Sequence, residues 1–206
     1  LGKCADPSAR ATLERMLADR GEHAQVRESA ALALGMAGAH ASAPVLAKLA
    51  RDRAGDLPLR VHAIVGLGLL GDASAVEPLL RVLGVSDDPQ AHAAAALALG
   101  SIADVGAVDV LGSIVRRGVL DPGVRACAIG ALGRIGRART ERTDVVDLLC
   151  RVVGTDRDEE IRRAAALVLH RFAAEDLAIS TLERVARNDR DATCRGYAWL
   201  GLAQAL

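Results

Sequence analysis

One pattern recurs six times along the 206 residues and leaves the chain little freedom in what it can fold into. It reads VRESAALALGMAG from Val26, LRVHAIVGLGLLG from Leu59 and AHAAAALALGSIA from Ala91. It returns as VRACAIGALGRIG from Val124, IRRAAALVLHRFA from Ile161 and CRGYAWLGLAQAL from Cys194. Successive starts lie 33, 32, 33, 37 and 33 residues apart. A period in that range is the mark of a stacked repeat, in which one supersecondary unit cannot bury its apolar face alone.

The spacing inside the pattern is helical. The fifth residue is Ala in every copy (Ala30, Ala63, Ala95, Ala128, Ala165, Ala198), and the ninth is Leu (Leu34, Leu67, Leu99, Leu132, Leu169, Leu202). Positions one, five, eight and nine fall on one helix face. The eighth is small or Val: Ala33, Gly66, Ala98, Ala131, Val168 and Gly201. Small residues there predict close approach of a neighbouring helix, with the Leu filling the space beside it. Composition agrees, since half the residues are apolar yet there is one Phe, one Tyr and one Trp, so the core must be aliphatic. Ala and Leu lose little side-chain entropy in a helix.

A second amphipathic helix is expected before each of these. Its apolar pairs are Leu13/Met16, Leu46/Leu49, Leu80/Leu83, Leu111/Ile114, Leu149/Val152 and Leu182/Val185. The intervening turns DRGEH, DRAGDLP, SDDP, DPG, TDRDEE and NDRD combine helix-capping Asp and Asn with helix-breaking Pro and Gly. The expected architecture is all-α, six helical hairpins over residues 5–38, 39–71, 72–103, 104–136, 137–173 and 174–206, forming one continuous solenoid.

These residues carry a resemblance. The segment SAVEPLLRVLGVSDDPQAHAAAALALGSIA, from Ser74, resembles the bacterial HEAT repeats, including those of phycobilisome lyase subunits, and the likeness runs over essentially the whole chain. It implies a right-handed α-α superhelix of the armadillo/HEAT type. It also implies that the turn Asp and the second-position Arg form a structural ladder between repeats: Asp19/Arg27, Asp52/Arg60, Asp121/Arg125, Asp156/Arg162 and Asp189/Arg195, with His92 a break. The opening LGK resembles the tail of a preceding second helix, and the last repeat lacks a polar cap. The chain is therefore expected to be a segment of a longer protein, or to pair at its ends with something else.

The second helix of each hairpin is expected to line a concave face. Its seventh position, usually charged in such repeats, reads Leu32, Val65, Leu97, Gly130, Leu167 and Leu200. The eleventh reads Met36, Leu69, Ser101, Arg134, Arg171 and Gln204, and the sixth adds Ile64, Ile129 and Trp199. One reading is an apolar groove for an amphipathic helix or extended peptide. The other is tighter curvature that buries these residues in the stack or against a neighbouring domain. On the first reading Leu32, Met36, Val65, Leu69 and Leu97 bind the partner. A second candidate is the irregular spacing GRARTERTD, where Arg134, Arg137, Arg139 and Arg142 form either a basic patch or a solvated loop offset by Glu141, Asp144 and Asp147.

Enzyme readings fare less well. HEAT-like dimetal hydroxylases require His-Glu pairs, and none of His23, His40, His62, His92 and His170 is followed by Glu. HEAT-like DNA glycosylases need aromatics and a carboxylate in a basic cleft. Here Tyr197 and Trp199 stand together, but Lys plus Arg equals Asp plus Glu at 26 each. That balance gives no net field towards nucleic acid or an anionic membrane. Cys4, Cys127, Cys150 and Cys194 have no metal or disulfide spacing, and the three inside predicted helices read as small hydrophobes. No apolar stretch reaches a membrane span of roughly 18 residues, and the start has no signal-peptide core. The expectation is a non-catalytic scaffold for a protein or peptide, without cofactor or metal, in the cytoplasm by default. The alternative, from the lyase resemblance, is an accessory or catalytic subunit of a modifying enzyme with a small ligand in the groove.

Overall fold

The computed structural model describes residues 6–85, 88–118 and 120–203, the side chain of Val85 excepted. Among them are twelve α-helices, which pair into six antiparallel hairpins. The chain divides into two compact units, Leu1–Ala107 and Val108–Leu206. The first unit holds α1 (Pro7–Ala18), α2 (Ala24–Met36), α3 (Ala43–Ala50), α4 (Leu57–Leu70), α5 (Val76–Val85) and α6 (Pro89–Ile102). The second holds α7 (Val108–Arg116), α8 (Pro122–Ala138), α9 (Thr143–Thr155), α10 (Glu159–Leu169), α11 (Asp176–Asn188) and α12 (Ala192–Ala203). Within the first unit the second helices α2, α4 and α6 pack in sequence, and α3 packs on α5. Within the second, α8, α10 and α12 do the same, and α9 packs on α11.

The repeating small residues make this packing possible. All six fifth-position alanines are buried, as are the ninth-position leucines except half-buried Leu202. Gly35 on α2 is so close to α4 that a Cβ there would stand 2.5 Å from the Gly66 carbonyl oxygen. A Cβ on Gly66 would likewise stand 2.7 Å from the Ala31 carbonyl oxygen, and one on Gly68 would stand 2.7 Å from the Ala98 Cβ on α6. In the second unit Gly133 meets Val168 and Gly201 meets His170. Helix backbones approach this closely only where side chains are absent or reduced to a methyl group. On the first helices the buried set differs slightly from the expected pairs: Leu17 and Leu79 are fully buried, whereas Leu13, Met16 and Leu80 are half-buried.

Two aspartates divide the labour in the turns of the second unit. The first folds the turn: Asp158 N–H donates to Asp156 Oδ1 (3.0 Å), and Asp191 N–H to Asp189 Oδ1 (2.8 Å). The second caps the following helix, Asp158 accepting from Glu160 N–H and Asp191 from Cys194 N–H. Where the turn is D-P, the single Asp is the cap: Asp121 accepts from Gly123 and Val124 N–H. Asp121 therefore caps α8, the place an N-cap carboxylate is most useful. The ladder between repeats that the resemblance implies is formed in the second unit by the turn aspartates Asp156 and Asp189. Arg125 reaches Asp156, and Arg162 reaches Asp189 at 3.0 Å, each one repeat on.

Candidate functional site

The second-position side chains close off the turn side of each hairpin. Arg27 Nε donates to the Leu17 carbonyl (3.2 Å) and Arg125 Nε to the Val115 carbonyl (2.9 Å), while His92 Nε2 lies 3.2 Å from the Leu83 carbonyl. His92 thus keeps the bond to the end of the first helix. At the same position Arg60 is buried, and its Nε has no hydrogen-bond partner. Burial works against the charged form of Asp189, yet the Arg162 guanidinium and the Asp191 N–H hold its carboxyl below the usual range. Arg163 holds the Asp191 carboxyl well below that range, through bonds of 2.7 and 2.8 Å. All these groups serve the turns and leave the opposite face of the second helices to be considered.

On that face the first unit is apolar and open. Met36 is 77% exposed, Leu69 50%, Leu97 41% and Val65 36%, with Leu32 half-buried beside them. Leu32 and Met36 stand on α2, Val65 and Leu69 on α4, and Leu97 and exposed Ser101 on α6. Because α2, α4 and α6 pack side by side, the six form two rows across three helices. The rows recur at i and i+4, which is one helix face. In the second unit the corresponding face carries exposed Leu167, Trp199, Leu200 and Arg171, with Gly130 and Arg134 half-buried. Gln204, the last of the expected positions, lies outside the described residues, as does Cys4.

Two expectations need correction. Ile64 and Ile129 are fully buried and belong to the core rather than to the outward face. The sixth position is turned sideways towards the neighbouring second helix; Ile64 on α4 has α2 on one flank and α6 on the other. The second concerns the arginine segment. The extra residues lengthen α8, which continues through Arg134 and Arg137 to Ala138, so the expected 136/137 repeat boundary falls inside a helix. Arg139 then bonds both oxygens of Asp144 (3.1 and 2.9 Å), and Arg142 bonds Glu175 (2.9 Å) while lying 5.7 Å from the Phe172 ring centroid. Of the set, Arg137 is the one on the fully exposed surface.

Burial pushes the thiols of Cys127 and Cys150 up, and that of Cys194, beside Asp189, up to about 12. A thiol so placed stays protonated near neutral pH and is a poor nucleophile or ligand. His62 lies 3.9 Å from Glu28, a carboxylate the sequence pattern did not bring to it, but its Nδ1 is engaged with the Pro58 carbonyl at 2.7 Å. No group of three or more His, Cys, Asp or Glu among the described residues is placed to hold a metal ion. No helix among them is long and apolar enough to cross a membrane.

The comparisons agree with this architecture. No curated protein matches the sequence. Among solved structures, the complex of CpcE and CpcF of phycocyanin lyase from Nostoc sp. PCC7120 aligns at 24% identity with a TM-score of 0.65, over 95% of this chain and 76% of that one. A Kap121p mutant aligns at 14% identity and a TM-score of 0.61, over 98% of this chain and 26% of the other. At these identities the likeness is one of fold, that of helical-repeat solenoids. The family of HEAT repeats matches residues 53–119 and 118–203, and the phycobilisome (PBS) lyase HEAT-like repeat matches residues 26–52. With most of its length matched repeat by repeat, this chain belongs to the HEAT-repeat family.

Proposed function

We propose that the chain is a non-catalytic scaffold that holds a protein or peptide partner against the outward face of its second helices. The observation that carries this reading is the pair of rows on α2, α4 and α6, apolar but for Ser101, in which Met36, Val65, Leu69 and Leu97 are exposed together. Single exposed apolar residues are ordinary, but a contiguous row across three packed helices marks an interaction surface. An amphipathic helix or an extended apolar peptide suits it, since such ligands present side chains at regular intervals to a grooved surface. Leu32 forms the floor of the row, and on this reading Arg134, Arg137 and Arg139 flank the corresponding face of the second unit. The occurrence of this fold in the complex of CpcE and CpcF supports a protein partner in general terms.

The test compares partner capture by the wild type and by a Met36→Glu, Leu69→Glu, Leu97→Glu variant. These positions are chosen for exposure, so the helical circular-dichroism signal and melting should stay close to wild type. Loss of a specific partner by the folded variant is the expected result. Equal capture by both proteins would remove the apolar face from consideration.

A further inference from the structure

The second unit builds one turn twice. Arg162 Nη1 donates to the main-chain oxygens of Asp156 (3.2 Å) and Arg157 (3.3 Å). One repeat on, Arg195 Nη1 donates to those of Asp189 (2.8 Å) and Arg190 (3.3 Å). With the backbone pinned alike, Arg157 and Arg190, 33 residues apart, leave the fold at equivalent places, and both are exposed. A second pair, Arg151 on α9 and Arg184 on α11, repeats at the same 33-residue interval. The Arg184 guanidinium lies along α9 at Gly154, where a Cβ would come within 2.8 Å of its Nη2. Sequence and geometry thus set four guanidinium groups in two rows along one edge.

That edge is hollowed. A depression of about 600 Å³ is lined by Arg157, Arg184 and Arg190 together with Arg162, Asp156 and Asp189. A second, of about 800 Å³, is lined in part by Arg151 and shares Arg157 with the first. The carboxylates in and around these hollows are already engaged. Asp156 holds Arg125, Asp189 holds Arg162, Asp158 caps α10, and Asp191 and Glu159 both hold Arg163. Among the described residues none of Arg151, Arg157, Arg184 and Arg190 is ion-paired. The hollows therefore present uncompensated positive charge on a protein whose formal net charge is zero.

We propose that this arginine array binds an extended acidic polypeptide segment, rich in Asp and Glu, through guanidinium–carboxylate pairs. Residues 108–206 contain no lysine, so every cation on the edge has the planar fork that grips a carboxylate with two parallel bonds. Packed helices stand about 8–10 Å apart. An extended peptide of the polyproline II type, with three residues per turn and about 3.1 Å rise per residue, sets every third side chain on one face about 9 Å apart. Carboxylates three residues apart therefore match arginines one repeat apart. Nucleic acid fits less well, because no aromatic side chain lines the hollows to stack a base. This site lies wholly on second-unit residues, so its failure would leave the apolar face of the first unit untouched.

The experiment is fluorescence anisotropy of a labelled oligo-glutamate peptide of about ten residues, with oligo-glutamine and a single-stranded DNA of similar length as comparison probes. The full chain is expected to bind oligo-glutamate, less well as salt rises, and oligo-glutamine hardly at all. The Arg157→Gln, Arg190→Gln variant is expected to lose roughly tenfold or more in affinity, each lost pair being a charge-assisted contact. Arg20→Gln, at an exposed turn arginine of the first unit, is expected to bind as wild type. No binding at low salt, or binding unchanged in the double variant, overturns the proposal. So does an equal loss in Arg20→Gln, or tighter binding of DNA that depends on the same arginines. Should the double variant unfold, Arg151→Gln with Arg184→Gln takes its place: weakened oligo-glutamate binding is again expected, and unchanged binding again overturns the proposal.

Discussion

Arg125 carries its charge into the interior, its side chain 5% exposed, and Asp156 from the following repeat meets it there at 16% exposure. Removing one member of such a pair leaves the other buried and unpaired, which costs about 3–5 kcal/mol, whereas replacing both with apolar groups is often close to neutral. Asp156→Ala is therefore expected to lower stability by that amount in urea unfolding, and Asp156→Leu with Arg125→Met to recover most of it. Asp189 allows a cleaner reading through pH. Asp189→Asn keeps an oxygen for the Asp191 N–H and removes the charge that pairs with Arg162. The native carboxyl is held below its unfolded value, so its contribution is complete above the unfolded pKa of about 3.9 and is lost as pH falls through the native value. The stability gap between wild type and Asp189→Asn should thus stay constant from neutral pH to about 5 and close in stronger acid; a gap that instead grew on acidification would contradict the ion pair. The recurring spacing named these aspartates and arginines, and the resemblance implied a ladder between repeats, but not which neighbour each Arg would reach. Chain spacing reports which residues recur, not which of two equivalent neighbours a long side chain reaches, and Arg125 and Asp156 are 31 residues apart.

At the scale of the helix, close packing and open surface make opposite demands on glycine. A Cβ on Gly35 would strike the backbone of Gly66, which cannot rotate away, so Gly35→Ala must push α2 and α4 apart. A cost of about 1–3 kcal/mol follows from overpacking, larger than the helix propensity that Ala contributes. Gly130 on α8 has nothing within 4 Å of the same built atom. There Ala should raise stability by about 0.5–1 kcal/mol, through the smaller entropy loss of Ala in a helix interior. Opposite shifts in thermal melting would check both, and destabilisation of equal size at Gly130 would sink the argument. The packing half of this was legible, because glycine and alanine recurred with the period. The length of α8 was not. A 37-residue interval invites an extra loop, but Ile135 and Gly136 are buried and carry the helix on to Ala138. Nothing in GRARTERTD announces that burial, since Gly136 packs against Phe172, which sits a whole repeat later.

Phe172 heads the largest fully buried side chains of the molecule, in a chain that otherwise fills its core with aliphatic groups. The segment it closes, His170–Phe172, packs on α8, α10, α11 and α12, so one aromatic ring ties consecutive repeats of the second unit together. The repeat pattern could not flag it, because a unique residue is by definition outside the period. The apolar outward face shows the reverse. It was visible in the seventh and eleventh positions because exposure there repeats, and it went wrong at Ile64 and Ile129, where sideways neighbours decide burial. In a repeat protein each unit of structure touches mainly its neighbours, so stability is close to a sum of local terms. Phe172→Ala removes a buried ring and should cost about 3–5 kcal/mol, but that loss should not be felt evenly. In native-state hydrogen exchange the protection of α8, α10, α11 and α12 should fall first and furthest, with the first unit least affected. Equal loss over all twelve helices would mean that the chain opens as a single cooperative body, and the nearest-neighbour account would have to be given up.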